Sequence, residues 1–291
     1  MRIRDILDRK QTFSVEIFPP KGEMSVESAR SISEQMIAET HPDWISVTFS
    51  AGGSGNSGNT LAISAEIART PAPTTSLAHL TCLGSSRADV DAYLDACTSA
   101  GIDNVLALRG DRTPGREAID FEHASDLVSY IKARNPQICV GGACYPEGHV
   151  ECASLDEDIE NLKRKQDAGV DFLVTQLFFE NEDFYRFRER LVRARIKVPV
   201  VVGIMPFTST RQIQRMAFSC GASIPAKVVR RLVAAGDSEE DQRKAGVEYA
   251  VGQLEDLAAN GVDGLHIYSM NKPAVARDTY EALRRCGYVR G

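Results

Sequence analysis

Short apolar runs rich in β-branched and aromatic residues recur along the chain, and between them apolar positions return every three to four residues. The first pattern predicts strands and the second amphipathic helices, and their alternation predicts a parallel sheet made of βα units. Eight strand-like runs are present: Phe13 to Phe18, Trp44 to Phe49, Ser76 to Cys82, Asn104 to Leu108, Ile138 to Tyr145, Phe172 to Phe179, Pro199 to Met205 and Gly264 to Ser269. Eight strands close an α/β barrel of the (β/α)8, or TIM, type. Helices are predicted over Ala88 to Ala100, with Val90, Tyr93, Leu94 and Cys97 on one face, and over Leu155 to Ala168. Gly101, Gly169 and Gly261 each follow a helix and precede a strand, where a left-handed cap glycine is favoured. Ile224 to Ala259 predicts two helices divided by Gly236-Asp237-Ser238, an extra helix before the last strand. No Pro- or Ser-rich linker interrupts the pattern, so residues 1–291 are expected to form one catalytic barrel domain.

Composition leaves this reading intact and narrows the partners. The chain is 43% hydrophobic and 25% charged, with a mean hydropathy of -0.22, as expected of an ordinary globular protein. A net charge of -6 and no basic run longer than Lys163-Arg164-Lys165 give no footprint for nucleic acid or an anionic membrane, which favours small-molecule partners. The N-terminus lacks the apolar core of a signal peptide, and no apolar run approaches the length of a spanning helix, so a cytoplasmic location is expected. Seven scattered cysteines without a C-x-x-C pair predict buried reduced thiols, with neither a disulfide framework nor a metal site.

In a barrel of this kind chemistry is carried by the C-terminal ends of the strands. Those ends offer Glu16, Thr48, His79, Arg109 with Asp111, Tyr145 with His149, Gln176, and Tyr268 with Asn271. An apolar core would not select them; together they suit a large polar heteroaromatic ligand and a proton donor. Glu16 interrupts a buried apolar run, and burial would raise its pKa toward the range of a general acid, although an internal salt bridge also explains it. Arg109 and Asp111 are expected either to pair with each other or to serve a ligand.

Gly53-x-Gly55-x-x-Gly58 matches a dinucleotide fingerprint in form. The following strand offers His79 and no acidic residue for a ribose, so the segment is read as a glycine-rich active-site loop. Motifs for a P-loop, a nucleophile elbow and a zinc hydrolase are absent from the sequence. Asp158, Asn161, Arg164 and Lys165 fall on one face of the helix after the fifth strand. That face is either a solvated, ion-paired surface or, beside the barrel mouth, a pyrophosphate cradle.

Val15-Glu16-Ile17-Phe18-Pro19-Pro20, Ser46-Val47-Thr48, Ala78-His79-Leu80-Thr81-Cys82, Ala107-Leu108-Arg109-Gly110-Asp111, Tyr145-Pro146-Glu147-Gly148-His149, Asn161-Leu162-Lys163-Arg164-Lys165 and Thr175-Gln176-Leu177-Phe178-Phe179 resemble the methylenetetrahydrofolate reductase family across nearly the whole chain. The length resembles that of the bacterial form, without a C-terminal regulatory domain. The resemblance implies an FAD-dependent barrel that uses NADH or NADPH to reduce 5,10-methylenetetrahydrofolate to 5-methyltetrahydrofolate in ping-pong fashion, feeding methionine synthesis. It implies Glu16 as the acid and Asp111 as a residue beside flavin and pterin. By the same resemblance, Thr48, His79, Leu108, Arg109, Gly110, Asp111, His123, Ala124, Ser125, Ala143, Tyr145, His149, Asp158, Asn161, Arg164 and Lys165 bind FAD. Gln176, Gln212, Tyr268 and Lys272 join Glu16 and Asp111 as substrate residues. A homo-oligomer is expected, and an electron-transfer partner protein is a further expectation.

Three departures accompany the resemblance. Met216 stands where relatives stack a Phe, a role then open to Phe207 or Phe218. Lys272 replaces a usual Arg and lacks its bidentate fork. Val170 replaces a common Ala, and its bulk is expected to loosen FAD. Rival readings are a folate-binding methyltransferase-type barrel without redox chemistry, a non-catalytic subunit or scaffold, and a flavin-independent reductase.

Overall fold

The computed structural model describes residues 1–19, 26–49, 57–71, 73–112 and 117–289. A short helix α1 (Ile3–Leu7) leads into β1 (Thr12–Ile17), followed by α2 (Val26–Thr40), β2 (Trp44–Val47), α3 (Ser57–Arg69) and β3 (Thr75–Thr81). Next come α4 (Arg87–Ala100), β4 (Asn104–Leu108), α5 (Ala124–Arg134), β5 (Cys139–Cys144), α6 (Leu155–Asp167) and β6 (Phe172–Thr175). The chain continues through α7 (Asn181–Arg193), β7 (Val200–Ile204), α8 (Thr210–Cys220), α9 (Ala226–Ala235), α10 (Glu239–Ala259), β8 (Gly264–Ile267) and α11 (Pro273–Arg285). All eight strands are parallel, each pairs with its neighbours in sequence order, and β8 pairs with β1 to close the barrel.

The helices that periodicity predicts over Ala88 to Ala100 and Leu155 to Ala168 are α4 and α6, and the two expected between Ile224 and Ala259 are α9 and α10. Gly101, with φ of 75°, caps α4 in the left-handed region. The sixth strand is shorter than predicted. Gln176 N–H still donates to Cys144 O of β5 (2.7 Å), but the next N–H, that of Leu177, donates to the Gln176 side-chain oxygen (2.9 Å), and Leu177 and Phe179 then turn into a separate cluster with Phe207 and Ile213.

Alternation along the strands sorts their side chains into two cores. One set packs outward against the helices, with Val15, Ile45, Ala78, Val105, Val140, Leu173, Val202 and Leu265 among its buried members. The other set points inward, where Trp44, Leu77, Leu106, Cys139, Phe172, Val174 and Val201 form an apolar layer that Ile3 and Leu7 of α1 close from below. Above this layer the inward positions become polar, at Ser14, Glu16, Ser46 and His79.

The lower closure is hydrogen-bonded as well as apolar. The buried Asn104 side chain accepts from Ile3 N–H (2.7 Å) and donates to Met1 O, Ser76 O and Thr75 Oγ1. Removing it strands buried polar groups, each costing about 1–3 kcal/mol. Asn104→Ala is therefore expected to lower unfolding stability by about 3 kcal/mol, read as a reduced denaturation midpoint in urea; a change below about 0.5 kcal/mol would show that α1 is not held this way.

Candidate active site

Glu16 is the fifth residue of β1 and, like Ser14, faces the barrel interior. Its Oε2 lies 3.7 Å from His79 Nε2 and 3.8 Å from His266 Nε2. A serine holds each ring, His266 through the nitrogen remote from Glu16 and His79 through the same nitrogen that approaches it. His79 Nε2 is 2.5 Å from Ser46 Oγ. His266 Nδ1 is 2.8 Å from Ser14 Oγ, and its ring stacks on Trp44 with centroids 4.8 Å apart and 12° between planes. Burial disfavours the imidazolium of His79 more than the neighbouring Glu16 favours it, and His266 adds a smaller effect in the same direction as burial; the His79 pKa falls to about 4. At neutral pH Glu16 thus faces an uncharged His79.

Tyr268, two residues after His266 on the same inward face, packs edge-on to it and donates to Thr175 O (2.6 Å). The ring occupies the space left by Gly203 of β7, where a Cβ would lie 2.4 Å from Tyr268 Cε2. A side chain at Gly203 would expel the tyrosine from the wall.

Above this floor lies a cavity of about 300 Å³ that also touches Thr48, Leu108, Gly110, Asp111 and Gln176. Leu108, Arg109, Ala143, Tyr145 and His149 are shared with a second cavity of about 260 Å³, which runs past His123, Ala124 and Ser125 to α6. There Asp158, Asn161, Arg164 and Lys165 are brought together. Lys165 donates to Ala143 O (2.7 Å), and burial lowers its pKa; burial raises that of Asp158, against the opposing pull of Lys165. His149 Nδ1 accepts from Glu151 N–H (3.1 Å), which leaves Nε2 of the neutral ring as its donor. The ring meets Tyr145 edge-on at 4.7 Å.

Every residue that the resemblance assigns to FAD therefore lines one or both halves of a continuous cleft, as do Glu16, Asp111, Gln176 and Tyr268. Gln212 and Lys272 do not. Gln212 is buried and accepts from Thr208 N–H and Oγ1 (2.7 and 2.9 Å), while Lys272 donates to the same hydroxyl (2.9 Å). Thr208 joins the two beside the cleft rather than on its wall.

Other expectations are corrected. Glu16 is not sealed in an apolar run: 22% of its side chain remains exposed through the cavity. Arg109 pairs with Glu151, not with Asp111, which stands exposed at the rim. Phe207 is fully buried beside Tyr249 and has no face to offer a ligand. Phe218 is 92% exposed, and neither it nor Met216 touches the cleft. Val170 packs opposite Gly142 of β5, where a Cβ would lie 3.2 Å from its Cγ2, a contact that leaves the expectation about FAD retention as it stands. Four cysteines are buried, but Cys152 and Cys220 are half-buried and Cys286 is exposed. The glycine-rich loop lies mostly outside the described residues, which resume at Ser57.

Sequence reasoning overlooked Ser14, Ser46, Glu151 and His266. Three of these carry a simple signal: they sit two residues before Glu16, Thr48 and Tyr268, and alternation along a strand returns each to the same inward face. Glu151 lies in a loop and has no such periodicity.

The fold and the cleft define a (β/α)8 barrel with an acid–histidine cluster at the floor of its C-terminal mouth and a cationic compartment to one side. A family model described as methylenetetrahydrofolate reductase matches residues 2–284; the chain belongs to the methylenetetrahydrofolate reductase family. It is 33% identical over 260 residues to 5,10-methylenetetrahydrofolate reductase of Escherichia coli K12, covering 89% of this chain and 86% of that protein. Methylenetetrahydrofolate reductase 1 of Schizosaccharomyces pombe is 34% identical over 94% of this chain but 46% of its own length. For methylenetetrahydrofolate reductase (NADH) 1 of Arabidopsis thaliana the figures are 33%, 93% and 48%; the chain spans about half the length of these eukaryotic relatives. Among solved structures, a Clostridium thermocellum protein described as binding two copies of 5-methyl-5,6,7,8-tetrahydrofolic acid superposes with a TM-score of 0.72 at 17% identity, covering 99% of both chains. At that identity the likeness concerns the fold alone.

The depressed His79 pKa generates a stability prediction. A histidine with an ordinary pKa of 6.5 when unfolded and about 4 when folded binds its proton more readily in the unfolded chain. This difference leaves stability intact above pH 6.5 and removes it as the pH falls toward 4, by about 3 kcal/mol at roughly 1.4 kcal/mol for each tenfold change in proton affinity. Urea unfolding between pH 7 and 4 is expected to fall more steeply for the wild type than for His79→Gln; parallel curves would contradict the assignment.

Proposed function

We propose that this protein reduces 5,10-methylenetetrahydrofolate to 5-methyltetrahydrofolate with electrons from a nicotinamide donor, and that FAD is its cofactor. Family membership supports the reaction, and the observation that carries the site is the seating of Glu16 between His79 and His266 below a cleft that ends among Arg164, Lys165 and the start of α6.

The residues present fit a flavin dinucleotide. The compartment at α6 offers two cations and Asn161, suited to the phosphates and hydroxyls of a nucleotide. The part near Glu16 mixes apolar walls, Leu106, Leu108 and Val174, with Thr48, His79 and Gln176, suited to a planar heteroaromatic with polar edges. Bound FAD supplies the hydride chemistry. The chain's own residues bind, orient and protonate. Glu16 holds the proton given to the folate nitrogen released when the methylene bridge opens, and Tyr268 and Gln176 flank its approach. Asp111, at the rim, contacts the pterin and influences the flavin electrostatically. Gln212 and Lys272, joined through Thr208 off the cleft wall, act as positioning residues for the side of the mouth that takes the outer part of the folate. One cleft serves both reactants in turn, in the manner of a ping-pong enzyme.

General acid catalysis contributes about 10²–10⁴ in rate. Glu16→Gln is therefore expected to retain reduction of bound flavin by NADH or NADPH while its reoxidation by methylenetetrahydrofolate slows by about that factor. Anaerobic stopped-flow absorbance separates the two halves. Undiminished folate-driven reoxidation would remove Glu16 from the role, and purified protein that neither contains nor takes up flavin would remove FAD from the proposal.

A further inference from the structure

Arg109 stands where the two halves of the cleft meet, and its guanidinium is already engaged. Nη1 and Nη2 donate to the two carboxylate oxygens of Glu151 at 2.7 and 2.8 Å, and Nε donates to Gly110 O at 3.2 Å. Arg112 Nε also approaches Glu151, at 3.5 Å. The pairing holds the Glu151 carboxyl below its usual range and raises the pKa of Arg109. Glu151 also lines the cationic compartment.

The other carboxylates there are committed elsewhere. Glu157 accepts from Ala153 N–H (2.7 Å) at the start of α6, and Asp158 is buried within contact of Cys152. Glu151 alone among the described residues neutralises the arginine fork at the junction. Its side chain is 42% exposed, so the pair is solvent-screened and able to exchange partners.

A carboxylate and a phosphate present the same forked pair of oxygens to a guanidinium. We propose that Glu151 is an internal counter-anion that competes with the phosphates of the cofactor for Arg109, and so sets how tightly the compartment holds a nucleotide. The inference rests on the FAD reading above. Glu151 weakens that affinity, keeping the cofactor exchangeable, and does not act as a scaffold that presents Arg109 to it.

The test is equilibrium binding, without turnover. Flavin-free protein is titrated with FAD while flavin fluorescence is followed, for the wild type, Glu151→Gln and Glu151→Asp. Inorganic pyrophosphate is titrated in parallel, with the thermal midpoint as readout. Removing one negative charge beside the anion is expected to tighten FAD binding about tenfold at low salt, less at high salt, with a larger pyrophosphate-induced midpoint shift. Glu151→Asp keeps the charge and should stay near the wild type. Equal or weaker binding by Glu151→Gln would overturn the proposal and make Glu151 a support for Arg109. If the wild type binds no FAD, the cofactor reading fails, and the pyrophosphate shifts still decide the competition: a larger shift in Glu151→Gln upholds it and an equal or smaller one overturns it.

Discussion

The pairing of the last strand with the first determines whether a site exists at all. Ser14 lies opposite His266 in the β1–β8 register, and that alignment gives both the Ser14–His266 hydrogen bond and the approach of His266 to Glu16. A slip of one residue would turn Glu16 out of the barrel toward the helices. The register is reinforced beyond the last backbone rung. Asn271 accepts from Phe18 N–H and donates to Phe18 O, both at 2.9 Å, and so acts as a side-chain rung of the ladder. Ser269 Oγ donates to Glu16 O (3.3 Å). Asn271 and Met270 both adopt φ of 56°, a conformation that costs about 1–3 kcal/mol for residues other than glycine and that the rung helps to offset.

Desolvation decides the character of the floor. A carboxylate beside a histidine ordinarily favours the imidazolium, yet burial outweighs Glu16 at His79. The result is a carboxyl group beside an uncharged His79, near an opening through which solvent and reactants reach it. At the other end of the cleft the balance differs. Cations and carboxylates stand together at α6, partly exposed, and small shifts in pairing alter the net field there.

Much of this arrangement can be read from the sequence because it follows from periodicity. Eight apolar runs and their spacing suffice for the barrel, and a polar residue within such a run marks the inward upper layer, as Glu16 and His79 do. His266 and Ser14 follow from the same alternation once Tyr268 and Glu16 are placed. Contacts between loops do not repeat and leave no such trace. Nothing in the sequence near Arg109 indicates that its partner is Glu151 rather than Asp111, and only the packed structure shows Gln212 turned toward Thr208. The burial of Phe207 is likewise a tertiary fact, since Leu177 and Phe179 draw it into a cluster of their own.

The small helix at the chain's start has a consequence for traffic. Ile3 and Leu7 share one apolar layer with Leu106 and Val174, which are also part of the cavity floor. The barrel is therefore a well rather than a tunnel: its lower end is stoppered by packed side chains, and whatever enters at the rim must leave by the rim. In such a vessel anything that leaves the floor and anything that replaces it must pass through the same opening.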